Sequence, residues 1–340
     1  MNDKTPSYAH WSNYWAGGAL TSLPDDFREN YDGEVAEFWG AQFDYLPEQA
    51  EILDVCTGNG AVALLAAQWA LAHDKEDWRI SAVDAAHIDP AVIARHWPGQ
   101  AQALARIRFI PDTPLETLEL PDASVDLVTS QYGLEYCDLE QAVPRLAAVL
   151  KSGGRLAMLA HAMSSAMVET MEAERRDYAV IESLGFLQLL RRWSSGLLDA
   201  PAIRSGLQMT GRALSRDPDA RSPLVAQVLQ ACRTLIPLSP GQLLAQKKNA
   251  GLYLEQLKAG QLRSEDMLRV NRQIGQGDEW LKRFASAGLE LIEARDLRYR
   301  GDHHVGTARV WRKAWTGPAP PLVSLKALKE CRIPSSGNGR

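Results

Sequence analysis

Apolar positions in the first half of the chain fall into short runs separated by stretches of helical period. ILDV, Ile52–Val55, is apolar, partly β-branched and too short for a helix with its own face, so it predicts a buried strand. Similar runs recur near Arg79–Asp84, Ile107–Ile110, Val125–Ser130 and Arg155–Ala160. Between them, Ala61–Ala72 (AVALLAAQWALA) is rich in helix formers. Ala91–His96 and Leu139–Leu150 carry their apolar residues at helical spacing, and KSGG, Lys151–Gly154, reads as a stop and a turn. Strands alternating with helices predict a parallel sheet covered on both faces.

The period changes after the fifth strand. From about 164 to 276 the chain is rich in Ala, Leu, Gln, Arg and Glu, with breaks near Gly185, Pro201, Pro223, Pro237–Gly241 and Gly260. This predicts several helices and no strand. Phe186, Leu187, Leu189, Leu190 and Trp193 recur at helical spacing and need a surface to cover. Near Trp280 the first pattern returns: WLKRFASAG predicts a helix ending at Gly288, and LELIEARDLRY and HHVGTARVWRKAW predict two strands joined at Arg300–Asp302. The expected organisation is an aromatic helical arm over 1–45, a core over 46–163, a helical segment over 164–276, a return to the core over 277–316 and a loose tail over 317–340. Within the arm, His10–Pro24 and Asn30–Trp39 carry aromatic residues that fit either anchors on the core or a flap over a ligand.

Composition narrows the function classes. The 340 residues are 46% hydrophobic and 23% charged, an ordinary globular mix, and the net charge of −5 offers no footprint for nucleic acid. No apolar run is long enough to span a bilayer, and MNDKTPSYAH has no apolar leader segment, so a cytoplasmic location and no membrane partner are expected. The four cysteines are scattered without a CxxC or Cys/His cluster, so neither a disulfide framework nor a metal site is expected.

The chemistry centres on EILDVCTGNGAVA, Glu51–Ala63, a strand, a glycine turn and a helix start. Glycine lets a ligand approach the backbone closely, and a helix start offers unpaired N–H groups. GNGAVA with Asp84 following fits a dinucleotide-binding turn, so an NAD(P)-dependent oxidoreductase is one reading. Against it stand Asp54 at the strand end, a further acid, Asp112, after the third strand, and the terminal pair of strands.

DVCTGNG, VDAAHID, FIPDTPLETLELPDASVDLVTSQYGLEY and AVPRLAAVLKSGGRLAML together resemble, in order, the motifs of class I S-adenosylmethionine-dependent methyltransferases. The resemblance covers roughly Ala50–Ala160 and returns at about Trp280–Trp315. It implies an α/β fold: a doubly wound, mostly parallel, seven-stranded Rossmann-like sheet with an antiparallel terminal hairpin and an α-helical cap insertion. It implies S-adenosyl-L-methionine as cofactor and S-adenosyl-L-homocysteine as product. The activity expected is methyl transfer to O, N or C of a small-molecule substrate. A scaffold that binds the cofactor without turnover remains open, and a second copy of the chain is the one protein partner expected.

Carried over by position, the loop Asp54, Cys56, Gly58, Asn59 and Gly60 should hold the methionyl part of the cofactor. Cys56 stands where the family has a glycine and is expected at negative φ. Asp84 should accept from the ribose hydroxyls and Ala85 touch the adenine. Asp112 should accept from the adenine amino group, the Thr113 N–H should face a ring nitrogen, and Gln131 should lie under the sulfonium. His161 and Tyr132 are the catalytic candidates; His161 follows the fifth strand on the crevice side, and Tyr132 and Glu135 follow the fourth.

Overall fold

The computed structural model describes residues 8–22, 27–161, 166–217, 222–275, 278–301 and 303–315. Seven strands are formed: β1 (Glu51–Val55), β2 (Arg79–Val83), β3 (Ile107–Ile110), β4 (Val125–Gln131), β5 (Leu150–Ala160), β6 (Leu289–Tyr299) and β7 (His303–Lys313). They make one sheet in the order β3-β2-β1-β4-β5-β7-β6. The first five pair in parallel, and β7 runs antiparallel to both β5 and β6. Leu156–Ala160 of β5 are fully buried, as a central strand covered on both faces demands. A dinucleotide fold would continue with a parallel sixth strand; here the last strand is wedged in antiparallel.

The KSGG segment departs from the simple turn expected. β5 already begins at Leu150, opposite Val125, and the register then slips so that Leu127 faces Arg155. Lys151–Gly154 is thus looped out within the strand as an irregularity, with Gly153 at φ 78 making the bend.

Helices α1 (Ala9–Trp15) and α2 (Gly33–Phe43) form the arm; α3 (Ala61–Ala72), α4 (Pro90–His96), α5 (Ala101–Leu104) and α6 (Leu139–Val149) lie on the sheet. The arm divides by role. In α2, Phe38, Trp39 and Phe43 are buried anchors, each worth roughly 1.5–3 kcal/mol. The aromatic residues of α1 face the cavity described below.

The inserted segment is entirely helical among its described residues: α7 (Ala166–Ser183), α8 (Phe186–Ser194), α9 (Ala200–Arg216), α10 (Pro223–Leu235), α11 (Pro240–Ala245) and α12 (Lys247–Gly275). The sequence breaks at proline turn out to be helix starts. Asp199, Ser222 and Ser239 cap α9, α10 and α11, with proline in the first turn, where its missing N–H costs nothing. Gly260 is a correction, because α12 runs straight through it. A Cβ there would lie 2.3 Å from the Tyr178 hydroxyl, so the glycine makes room for a neighbour rather than ending a helix. The segment has its own core, which takes in Phe186, Leu190 and Trp193 from α8. After it, α13 (Lys282–Ser286) leads back to β6. Among the described residues no helix is long and apolar enough to cross a membrane.

Candidate active site

The carboxyl ends of β1, β2, β4 and β5 converge on one crevice, where an open α/β sheet binds its ligands. Asp54, at the end of β1, is buried; its Oδ1 accepts from Thr129 (2.7 Å) and its Oδ2 from Thr57 (2.5 Å) and the Ala63 N–H (3.3 Å). It braces the glycine turn between strand and helix. Burial pushes its carboxyl up to about 6, against the three hydrogen bonds.

Cys56 lies at φ 54, not at the negative φ expected. The turn needs a left-handed residue at this position, and the chain supplies a cysteine under strain. Its side chain presses on the next turn: a Cβ on Gly133 would come 2.3 Å from the Cys56 Cβ. The Cys56 Sγ is 3.4 Å from the Cys137 Sγ. Sequence spacing alone had left these two cysteines unrelated.

The turn's other residues are engaged by the protein itself. The place of a Cβ on Gly58 is occupied by the Trp15 indole, 2.3 Å away, and that on Gly60 by the Phe109 ring, 2.8 Å away. Asn59, expected at the cofactor, is buried and donates to the Trp15 and Ala19 carbonyls at 2.9 and 2.7 Å. It fastens the arm to the turn.

Asp84 follows β2. Its Oδ2 accepts from the Gly58 N–H and its Oδ1 from the Ala86 N–H, both at 2.7 Å. Each oxygen keeps a further lone pair. Burial pushes this carboxyl also up to about 6, against those two bonds. With Ala85 it lines a small cavity of about 90 Å³ bounded by Trp11, Trp15, Cys56 and Cys137. Asp112 and Thr113 sit differently from expectation. Asp112, at φ 53, is exposed and paired with His87 Nδ1 at 2.8 Å. The Thr113 N–H donates to the Asp84 carbonyl (2.9 Å) instead of standing open to a ligand.

At the ends of β4 and β5 the structure pairs residues that stand apart in the sequence. Gln131 Oε1 accepts from the Trp39 indole (2.7 Å), which fixes its amide, while its Nε2 is buried without a partner. Tyr132, at φ 52, donates its hydroxyl to the Val305 carbonyl (2.7 Å), and its ring lies 4.7 Å from that of His161. His161 is buried against Glu135. Its Nδ1 is 2.8 Å from Glu135 Oε1, and its backbone N–H donates to the same oxygen at 3.1 Å. A carboxylate there takes the Nδ1–H, so the Nε2 keeps its lone pair. Glu135 Oε2 is buried with no hydrogen-bond partner. SQYGLEY contains Glu135 four residues beyond Gln131; the turn after β4 brings it under His161, which spacing along the chain does not reveal.

Gln131, Tyr132 and His161 open on a larger cavity of about 710 Å³, whose other walls are α1, the glycine turn from Asp54 to Val62, Val305 of β7 and the inserted helices. Its size suits a small-molecule site. Among the described residues no group of three or more His, Cys, Asp or Glu could hold a metal.

Residues 52–154 match a family model described as a methyltransferase domain. This part of the chain is similar to a methyltransferase domain. No curated protein sequence matches the chain. Similar solved structures include the YcgJ protein from Bacillus subtilis, at 17% identity over 82% of this chain and 98% of that one, with a TM-score of 0.34. An S-adenosylmethionine-dependent methyltransferase from Aquifex aeolicus shares 11% identity over 89% and 98%, with a TM-score of 0.40. Geranyl diphosphate C-methyltransferase from Streptomyces coelicolor A3(2) shares 11% over 92% and 100%, with a TM-score of 0.41. The crevice residues have the chemistry expected for S-adenosylmethionine: Asp84 has acceptor capacity for a ribose diol, and Gln131 Nε2 is a buried donor without an acceptor.

Proposed function

We propose that this methyltransferase acts on a small organic acceptor through an ionisable heteroatom, a hydroxyl in the first instance. The observation that carries the reading is the buried His161–Glu135 pair on the wall of the cavity beneath the inserted helices. Bound S-adenosylmethionine supplies a methyl group on a sulfonium, which is a good leaving group. The protein's share is then positioning, and the removal of a proton where the acceptor carries one. His161 Nε2 accepts the hydroxyl proton, and Glu135 holds the ring's tautomer and stabilises the imidazolium that forms. Tyr132, its hydroxyl tied to Val305, positions the His161 ring rather than acting as a base. Asp84 holds the ribose, Ala85 borders the adenine, and Asp54 braces the turn and favours the ammonium group. Cys56 contributes a wall, and Gln131 lies under the sulfonium.

The cap supports an acceptor longer than one ring. Tyr253, Leu257, Gly260, Ser264 and Met267 of α12 recur every three or four residues along the cavity wall. At 1.5 Å per residue this lining face is about 21 Å long. Gln227 and Gln256 stand exposed at its rim. The test is to incubate the protein with methyl-labelled S-adenosylmethionine and fractionated cell extract. The label is expected in the small-molecule fraction as a methyl ether, and Asp84→Ala should reduce it at donor concentrations below saturation. Label recovered in RNA or protein instead overturns the acceptor class.

A further inference from the structure

Cys56 and Cys137 are 81 residues apart in sequence, yet their sulfurs are 3.4 Å apart. A disulfide bond is about 2.0 Å long, so closure needs the sulfurs to approach by roughly 1.4 Å. Both thiols are free and half-buried, and both border the small cavity beside Asp84 and Ala85. Cys56 belongs to the glycine turn; Cys137 comes two residues after Glu135. The absent Cβ of Gly133 lets Cys56 press against that second turn. Two mobile thiols packed against each other by chance would be unremarkable in a core, but these two bridge the two loops that form the donor site.

We propose that Cys56 and Cys137 are a thiol modification site that closes to a disulfide and excludes the methyl donor. The proposal rests on the crevice being the donor site. The oxidant is a peroxide. The Cys137 sulfur attacks the O–O bond, which breaks to give a sulfenic acid and one water. Cys56 then displaces the second water from that sulfur. In sum, two thiols lose two electrons and two protons, one peroxide gains them, one S–S bond forms and two waters leave. The hydrogen bond with Cys137, together with burial, pushes the Cys56 thiol well up.

Closing the bond draws the glycine turn toward the turn that carries Glu135, across the mouth of a cavity of about 90 Å³. The coupling is reciprocal: whatever factor the disulfide takes from donor affinity, bound donor returns as resistance to oxidation.

The experiment titrates full-length protein with S-adenosylhomocysteine by calorimetry, reduced and after hydrogen peroxide, with linkage mapped by peptide mass spectrometry. The expected result is a Cys56–Cys137 peptide, an affinity at least tenfold weaker after oxidation, and recovery with dithiothreitol. In Cys137→Ser, and in Cys137→Ala as a second variant, the affinity before and after peroxide should be equal. Preloading with S-adenosylhomocysteine should slow formation of the linked peptide. A disulfide that leaves affinity unchanged, or peroxide treatment that yields no linked peptide, overturns the gate while leaving the donor site intact. Reduced protein that binds no S-adenosylhomocysteine overturns the donor site and the gate with it.

Discussion

Cys56 holds a left-handed backbone conformation that costs an L-residue roughly 1–2 kcal/mol. Cys56→Gly removes that strain and adds about 0.4–1 kcal/mol of unfolded-state entropy. Denaturant melts should therefore show the variant between unchanged and about 1 kcal/mol more stable; a loss of over ~2 kcal/mol would contradict the strain. Asp84 carries a second prediction. Asp84→Ala should weaken S-adenosylhomocysteine binding by roughly 1.5–3 kcal/mol, through lost hydrogen bonds to a charged group. Burial raises Asp54 and Asp84 from 3.8 to about 6 in the folded protein. Their charge therefore opposes folding fully above about pH 6, and the opposition fades as pH falls toward 3.8. Donor affinity should run the other way, falling as pH drops through about 6 and Asp84 takes up its proton; calorimetry across that range on wild type and Asp84→Asn checks it. His161→Ala should lower kcat by roughly 10²–10⁴ with S-adenosylhomocysteine affinity kept, and Glu135→Gln should lower kcat less. At this scale the acids and His161 were legible because they stand at strand ends. The pairing of Glu135 with His161, the place of Cys137 beside Cys56 and the sign of φ at Cys56 were not, since each depends on how one turn folds over another.

Helix α12 passes through Gly260 because Tyr178 of α7 sets its hydroxyl against that backbone. Gly260→Ala should destabilise the protein by about 1–3 kcal/mol, as overpacking does, even though alanine is the better helix former. Tyr178→Phe removes the clashing atom, so the double variant should recover most of the loss in a thermal melt. Equal melting of the single and double variants would contradict the clash. Proline positions could be read correctly as boundaries, yet their meaning as helix starts came from the caps at Asp199, Ser222 and Ser239. The aromatic arm was left between anchor and flap for a physical reason: a tryptophan serves either role equally well in composition. The two helices divide them. In α2 the rings are buried in the core, whereas α1 is held to α12 by His10 and Trp11 on Asp266 and to the glycine turn by Asn59.

The whole molecule is a mixed sheet with a cavity at its carboxyl edge and a helical segment, inserted after β5, that walls the same cavity. The sheet was legible because strand period and turn chemistry are local. The inserted helices were expected as helices and as a cap; which of them lines the cavity was not legible, because Phe186, Leu190 and Trp193 of α8 pack into the segment's own core, whereas α7, α10 and α12 line the cavity. On the proposed function, donor at the glycine turn and acceptor beneath the helices meet at His161. A crystal structure of the protein with S-adenosylhomocysteine tests this most directly. The ribose is predicted on Asp84, with the sulfur beside Gln131 and Tyr132, facing His161 across the cavity. A sulfur turned away from His161, or shut off from the space under the helices, would contradict the account.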